Sequence, residues 1–318
     1  MKREISDYFQ VVSSNTEIAD REYKEFRKMW DSCARSLYLT EAPLHVDIEV
    51  TNACNLKCSM CERNMMTRKI GYMDYGLFCR IIDQCAEYRI TSVKLNLWGE
   101  SILHKEIFNM VRYAKKNRIH TQFNTNATLV TEENARRLVE CGLDRITFSV
   151  ESMVKDDYEN KRRGAKFETT IKNIEDFIKI KPIGKKPLLT LQFIRMKSNC
   201  NDIPLFVDKF KDAVDFISVT NITSVDGNPE ILKESMVDYK KLSKRPCPQL
   251  WLRLSVFWNG DVTVCCQDYN GVLVIGNIRD RSLKELWQSK ELNALRERHK
   301  RLNFSKTLCE PCTANHKH

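Results

Sequence analysis

Cys54, Cys58 and Cys61 stand at C-x3-C-x2-C spacing in the run Cys54-Asn55-Leu56-Lys57-Cys58-Ser59-Met60-Cys61. That spacing places three thiolates on one short loop, and three is the informative number. A [4Fe–4S] cluster held by three cysteines keeps one iron open to a small molecule. A closed structural zinc site needs a fourth Cys or His nearby, and this loop has none. Further along, Cys247, Cys265, Cys309 and Cys312 follow the pattern C-x17-C and then C-x2-C. Four thiolates converging from two such segments suit Zn2+ or a fully ligated iron–sulfur cluster equally well. Cys266 adjoins Cys265, so either thiol of this pair can serve as ligand, leaving the other as a free thiol or a small buried side chain.

These residues need elements to position them. Leu44-His45-Val46-Asp47-Ile48-Glu49-Val50 alternates like a strand and delivers the first cysteine loop. Before it, apolar residues at helical spacing (Tyr23, Phe26, Trp30, Cys33, Leu37) predict a helix over 16–38. After it, helices over 74–88, 104–117, 131–141, 167–180 and 202–211 alternate with strands over 92–98, 119–125, 144–150, 188–194 and 214–219. Thr131 caps the third of these helices, and Gly142 suits its left-handed C-cap. Six strands joined through helices imply parallel crossovers, hence a sheet covered by helices and a partial (β/α)6 TIM-like barrel in the α/β class. Function in such sheets gathers at the C-terminal strand ends, where the first cysteine loop lies. Residues 221–246, with the turn Asp226-Gly227-Asn228-Pro229, read as a linker with one short helix. In the last unit, β-rich runs flank Asn259-Gly260 as a hairpin, and a helix over 282–299 precedes Cys309. The chain thus divides into a helical extension (1–43), a barrel (44–220), a linker (221–246) and a small cysteine-bearing domain (247–318).

The chain has 318 residues, 42% of them hydrophobic, enough for a real core. No apolar run approaches membrane-span length, and Met1 to Asp7 lack the apolar stretch of a secretory leader. Thirteen cysteines without an export signal point to metal or redox chemistry in the cytoplasm rather than to disulfides. The net charge of +10 is interleaved with acids toward the C-terminus, which makes nucleic acid an unfavoured partner. Lys161-Arg162-Arg163 is a candidate contact for an anionic substrate. The histidines, including His316 and His318, form no ligand pattern, and Cys33, Cys79, Cys85, Cys141 and Cys200 read as core.

Strand, three-cysteine loop and alternating α/β pattern together resemble the radical S-adenosylmethionine (SAM) enzymes. Several positions extend the resemblance. Met60 stands where that family's residue before the third cysteine meets adenine. Trp98-Gly99-Glu100 stands where a glycine-glycine-glutamate motif binds the methionyl amino group, with Trp98 replacing one glycine. Asn124 and Asn126, then Ser149 and Glu151, are similar to contacts for the methionyl carboxylate and the ribose. The C-terminal unit resembles the short SPASM, or twitch, extension with one auxiliary [4Fe–4S] cluster, and the spacing in that family favours Cys265 over Cys266 as ligand. It is especially similar to the 2-deoxy-scyllo-inosamine dehydrogenases. The resemblance implies S-adenosyl-L-methionine, two [4Fe–4S] clusters, a small-molecule substrate, and an electron donor such as flavodoxin or ferredoxin. The implied reaction is hydrogen abstraction by a 5′-deoxyadenosyl radical from a sugar, cyclitol or similar compound, ending in alcohol dehydrogenation. Three alternatives are an epimerase using Cys266 as hydrogen donor, a ribosomal-peptide-modifying enzyme, and a non-enzymatic zinc-ribbon nucleic-acid-binding protein.

Overall fold

The computed structural model describes residues 8–12 and 21–314. In chain order the elements are β1 (Tyr8–Val12), α1 (Arg21–Ser36), β2 (His45–Ile48), α2 (Tyr75–Glu87), β3 (Ser92–Lys94), α3 (Ile107–Lys116), β4 (His120–Thr125), α4 (Glu132–Glu140), β5 (Arg145–Ser149), α5 (Lys155–Lys161), α6 (Phe167–Ile180), β6 (Leu188–Arg195), α7 (Ile203–Phe210) and β7 (Phe216–Asn221). There follow α8 (Pro229–Leu232), β8 (Arg253–Val256), β9 (Asp261–Thr263), β10 (Val274–Asn277), α9 (Leu283–Trp287) and α10 (Lys290–Lys300). One sheet holds all ten strands in the order β1-β7-β6-β5-β4-β3-β2-β8-β9-β10. Strands β2 to β7 are mutually parallel, as the helical crossovers require. Curled and open at its side, this is the partial barrel that the alternation predicts. Among the described residues no helix is long and apolar enough to cross a membrane.

Strand alternation sorts the barrel's two faces. Val46, Ile48, Val93, Phe123, Ile146, Phe148, Leu191 and Phe193 point outward and join the core with Phe78, Ile81 and Phe177 of the helices. The opposite set points inward and is polar: Asp47, Lys94, Gln122, Asn124, Thr147, Ser149 and Gln192. Barrel interiors are ordinarily filled by bulky branched side chains. Here short polar side chains near the C-terminal ends leave space instead. Helix α1 closes the base. Tyr23 stacks on His120 with ring centroids 4.6 Å apart, and Trp30 meets His45 edge-on at 5.9 Å.

The structure departs from the sequence reading in several places. β1 pairs antiparallel with β7, where only a helical extension is expected for 1–43. Residues 16–20 of that helix, and His316 and His318, lie outside the described residues. The strand expected over 92–98 ends at Lys94, because the chain turns toward Gly99. Helix α5 escaped notice because its seven residues are mostly charged and carry one fully buried apolar side chain, Tyr158. The helix expected over 282–299 is two, since Ser289 accepts from Leu292 N as the N-cap of α10. The hairpin β8–β9 does form around Asn259-Gly260, and β8 adds in parallel to β2, so the sheet runs continuously into the C-terminal unit.

Candidate active site

The cysteine loop leaves the end of β2 and is tied down by backbone bonds. Lys57 N donates to Arg163 O at 2.9 Å, Ser59 N to Lys161 O at 2.8 Å, and Glu100 N to Ala53 O at 2.7 Å. Cys54, Cys58 and Cys61 line a cavity of about 830 Å3 with Met60, Gly99, Glu100, Asn124, Asn126, Ser149 and Glu151. The structure therefore brings all ten of these sequence-predicted residues to one place. Burial pushes the thiols up, Cys58 to about 12, with Arg162 opposing. Cys54 and Cys61 shift in the same direction for the same reason. Such thiols hold little free thiolate, and ligating a metal centre would release their protons.

Around them each polar side chain has a structural anchor. Glu100 is buried and accepts from Thr125 Oγ1 and from Asn126 N, both at 2.8 Å, which fastens the end of β4 to the turn after β3. Burial raises its carboxyl pKa. Asn126 Nδ2 donates to Asn55 Oδ1 at 3.0 Å, inside the cysteine loop. Glu151 is buried and paired with Arg162, yet among the described residues its Oε1 has no partner, and neither has Trp98 Nε1. Met60 packs with Met196, Ile222 and Ile231 on one side of the cavity. Unpartnered buried polar atoms beside three thiols in a cavity of this size fit a cluster together with a polar ligand on its open iron.

The second cysteine set gathers as well. Cys247, Cys265, Cys266, Cys309 and Cys312 line a cavity of about 170 Å3. Burial raises the pKa of each of the four expected ligands, Cys247 to about 12 and Cys312 to about 11. Asp268 organises the hairpin side, accepting from Thr263 Oγ1, Val272 N and Leu273 N, each at 2.8 Å. Among the described residues no three His, Cys, Asp or Glu side chains converge on a single-ion position. The all-sulfur donor set and the space between the thiols fit an iron–sulfur cluster.

Arg162, singled out in the sequence with its basic neighbours, lines the larger cavity, and sequence reasoning missed Gln192, Thr220, Gln249 and Gln267, which line it too. The strand alternation that exposes Asn124 and Ser149 signals Gln192 and Thr220; the other two depend on tertiary placement. Within Lys161-Arg162-Arg163, the buried Arg162 pairs with Glu151 and the buried Lys161 with Asp157, whereas Arg163 is exposed. Of the cysteines read as core, Cys33, Cys85 and Cys141 are buried, whereas Cys79 and Cys200 are half-buried. Cys266 lines the smaller cavity and not the larger one, and its Sγ accepts from Arg253 Nη2 at 3.0 Å.

Comparison with known proteins agrees with this geometry. Residues 48–185 match the radical SAM superfamily, and residues 247–313 match SPASM, an iron–sulfur cluster-binding domain. The tungsten-containing aldehyde ferredoxin oxidoreductase cofactor-modifying protein of Pyrococcus furiosus is 24% identical over 310 residues, covering 84% of this chain and 86% of its own. The structure of BtrN in complex with AdoMet and 2-DOIA is similar at a TM-score of 0.58 and 18% identity, over 84% of this chain and 92% of that one. Streptococcus suis SuiB bound to precursor peptide SuiA gives a TM-score of 0.66 and 17% identity, over 89% of this chain and 74% of that one. At such identities the two structures establish the shared fold. The chain thus carries a radical SAM domain followed by a SPASM domain, which imply S-adenosylmethionine, a [4Fe–4S] cluster and auxiliary iron–sulfur as cofactors.

Proposed function

We propose that this enzyme oxidises a hydroxylated small molecule, a sugar, cyclitol or similar compound, by two-electron alcohol dehydrogenation. One observation carries the reading: Gln249, Gln267 and Ala314 line both cavities, so the larger one has the three-cysteine loop on one side and the second thiol set on the other. Bound at Cys54, Cys58 and Cys61, a cluster with S-adenosylmethionine supplies a hydrogen-abstracting radical, and one bound at Cys247, Cys265, Cys309 and Cys312 supplies an electron acceptor. Glu100, Asn126, Ser149 and Glu151 hold the polar groups of S-adenosylmethionine, and Met60 packs against its adenine. Asn96, Gln192, Thr220, Asn221 and Gln267 present amides and hydroxyls that orient a neutral polyol. Fixing one C–H bond against the radical and excluding water is what such a wall contributes. The donor of the initiating electron is a flavodoxin or ferredoxin.

The position of Cys266 favours dehydrogenation over epimerisation, because a thiol that returns hydrogen must face the substrate. Candidate cyclitols and sugars deuterated at one carbon, incubated anaerobically, should yield deuterated 5′-deoxyadenosine and a product lighter by the two hydrogens removed. A product of unchanged mass that gains solvent deuterium only when Cys266 is present would make the enzyme an epimerase. Turnover of a peptide alone would move the substrate class to ribosomal peptides.

A further inference from the structure

Asp47, Lys94, Arg253 and Cys266 form a charged cluster inside the barrel that the reaction outlined above does not use. Arg253 opens β8 and lines the smaller cavity beside Cys247, Cys265 and Cys266. One guanidinium nitrogen donates to Cys266 Sγ at 3.0 Å, and another lies 3.1 Å from Asp47 Oδ2. Asp47 is 1% exposed, and Ser255 Oγ donates to it at 3.3 Å, so the carboxylate is itself fixed. Lys94 is the register partner of Asp47 on β3, and burial pulls its pKa down. Arg253 stays charged throughout, as guanidinium does in proteins. A fixed cation, oriented by a buried carboxylate and donating to a cysteine sulfur, therefore stands at the wall of the auxiliary site.

We propose that Arg253, held by Asp47, tunes the auxiliary cluster by raising its reduction potential. Reduction adds one negative charge to a cluster, and net charge and hydrogen bonds to sulfur are the levers that set such potentials. A cation in this weakly polarisable interior stabilises the added electron more than it would in water. The sign does not depend on which of the adjacent thiols ligates. If Cys266 is the ligand, the N–H bond falls on a cluster sulfur; if Cys265 is, the cation still stands beside the next residue. Asp47 is a positioning residue that also offsets part of the charge. The inference rests on the auxiliary cluster and is independent of the substrate.

The test is a redox titration of the reconstituted full-length enzyme without substrate, followed by electron paramagnetic resonance. The auxiliary signal is the one missing from a Cys309→Ala/Cys312→Ala variant. Arg253→Gln should lower the equilibrium constant for auxiliary reduction about tenfold, roughly a 59 mV fall for one electron, and leave the radical-cluster midpoint in place. Asp47→Asn should shift it upward, and Arg253→Lys should restore most of the native value. An unchanged midpoint in Arg253→Gln, or shifts of one sign in both the Gln and Asn variants, would overturn the tuning alone. A folded Arg253→Gln protein without auxiliary iron, not rescued by Lys, would make Arg253 scaffolding and overturn it too. Absence of a second signal from the native enzyme would remove the auxiliary cluster and the tuning together.

Discussion

Gly99 is the residue on which the radical site turns most sharply. Its φ is +91°, and a Cβ there would meet Ala53 O and Thr51 O at 2.6 Å, the backbone that feeds the cysteine loop. Left-handed backbone costs a non-glycine residue about 1–2 kcal/mol before any clash, and a backbone oxygen cannot swing aside as a side chain does. Gly99→Ala should therefore lower stability by about 2–4 kcal/mol and cut S-adenosylmethionine cleavage at least tenfold. Thermal melting and 5′-deoxyadenosine yield measure the two, and native values of both would refute the close approach. The spacing of Cys54, Cys58 and Cys61 made the centre legible from sequence, because ligation by one loop is a local property. The Glu151–Arg162 pair and the facing of Gln249 and Gln267 were not legible, because they depend on strand register and on how a distant hairpin docks.

At the scale of elements, the join of α1 to the barrel base carries a pH dependence. His120 on β4 lies under Tyr23, and burial lowers its pKa to about 4, helped by Arg145, Lys115 and Lys186 and opposed by Asp144. A folded pKa below the unfolded value means that the unfolded chain binds more protons, so stability falls as pH drops from about 6.5 toward 4. By pH 5.5 the loss from this group is on the order of 1 kcal/mol relative to pH 7.5. His120→Phe keeps a ring against Tyr23 and should abolish that part of the slope. Denaturant midpoints of both proteins at the two pH values decide it, and an equal slope would contradict the account. Elements with strong periodicity were legible to within a few residues, as α2, α4 and α6 illustrate. β1, α5 and the break at Ser289 were not, because five or seven residues carry too little pattern and a serine between helices looks like one more helical position until its cap is seen.

Across the whole molecule, barrel and C-terminal unit are joined by Arg68, which is held by the buried Glu49, as well as by the continuous sheet. Arg68 donates to both Glu49 oxygens at 2.7 and 2.9 Å, to Tyr269 O at 2.7 Å, and covers the Phe257 ring at 3.7 Å. Removing one partner of a buried pair typically costs about 3–5 kcal/mol, because the other is left uncompensated. Arg68→Met should lose that much in denaturant titration, and Glu49→Gln in the same chain should recover part of it. A loss below about 1 kcal/mol would show that the two units do not depend on this pair. The most direct test of the central claim replaces Cys54, Cys58 and Cys61 together with alanine and measures iron, sulfide and 5′-deoxyadenosine under reducing, anaerobic conditions. The account predicts that iron and sulfide fall by one cluster, that the second cluster remains, and that 5′-deoxyadenosine formation stops. Continued S-adenosylmethionine cleavage by the triple variant, or a native protein holding zinc in place of iron, would contradict it.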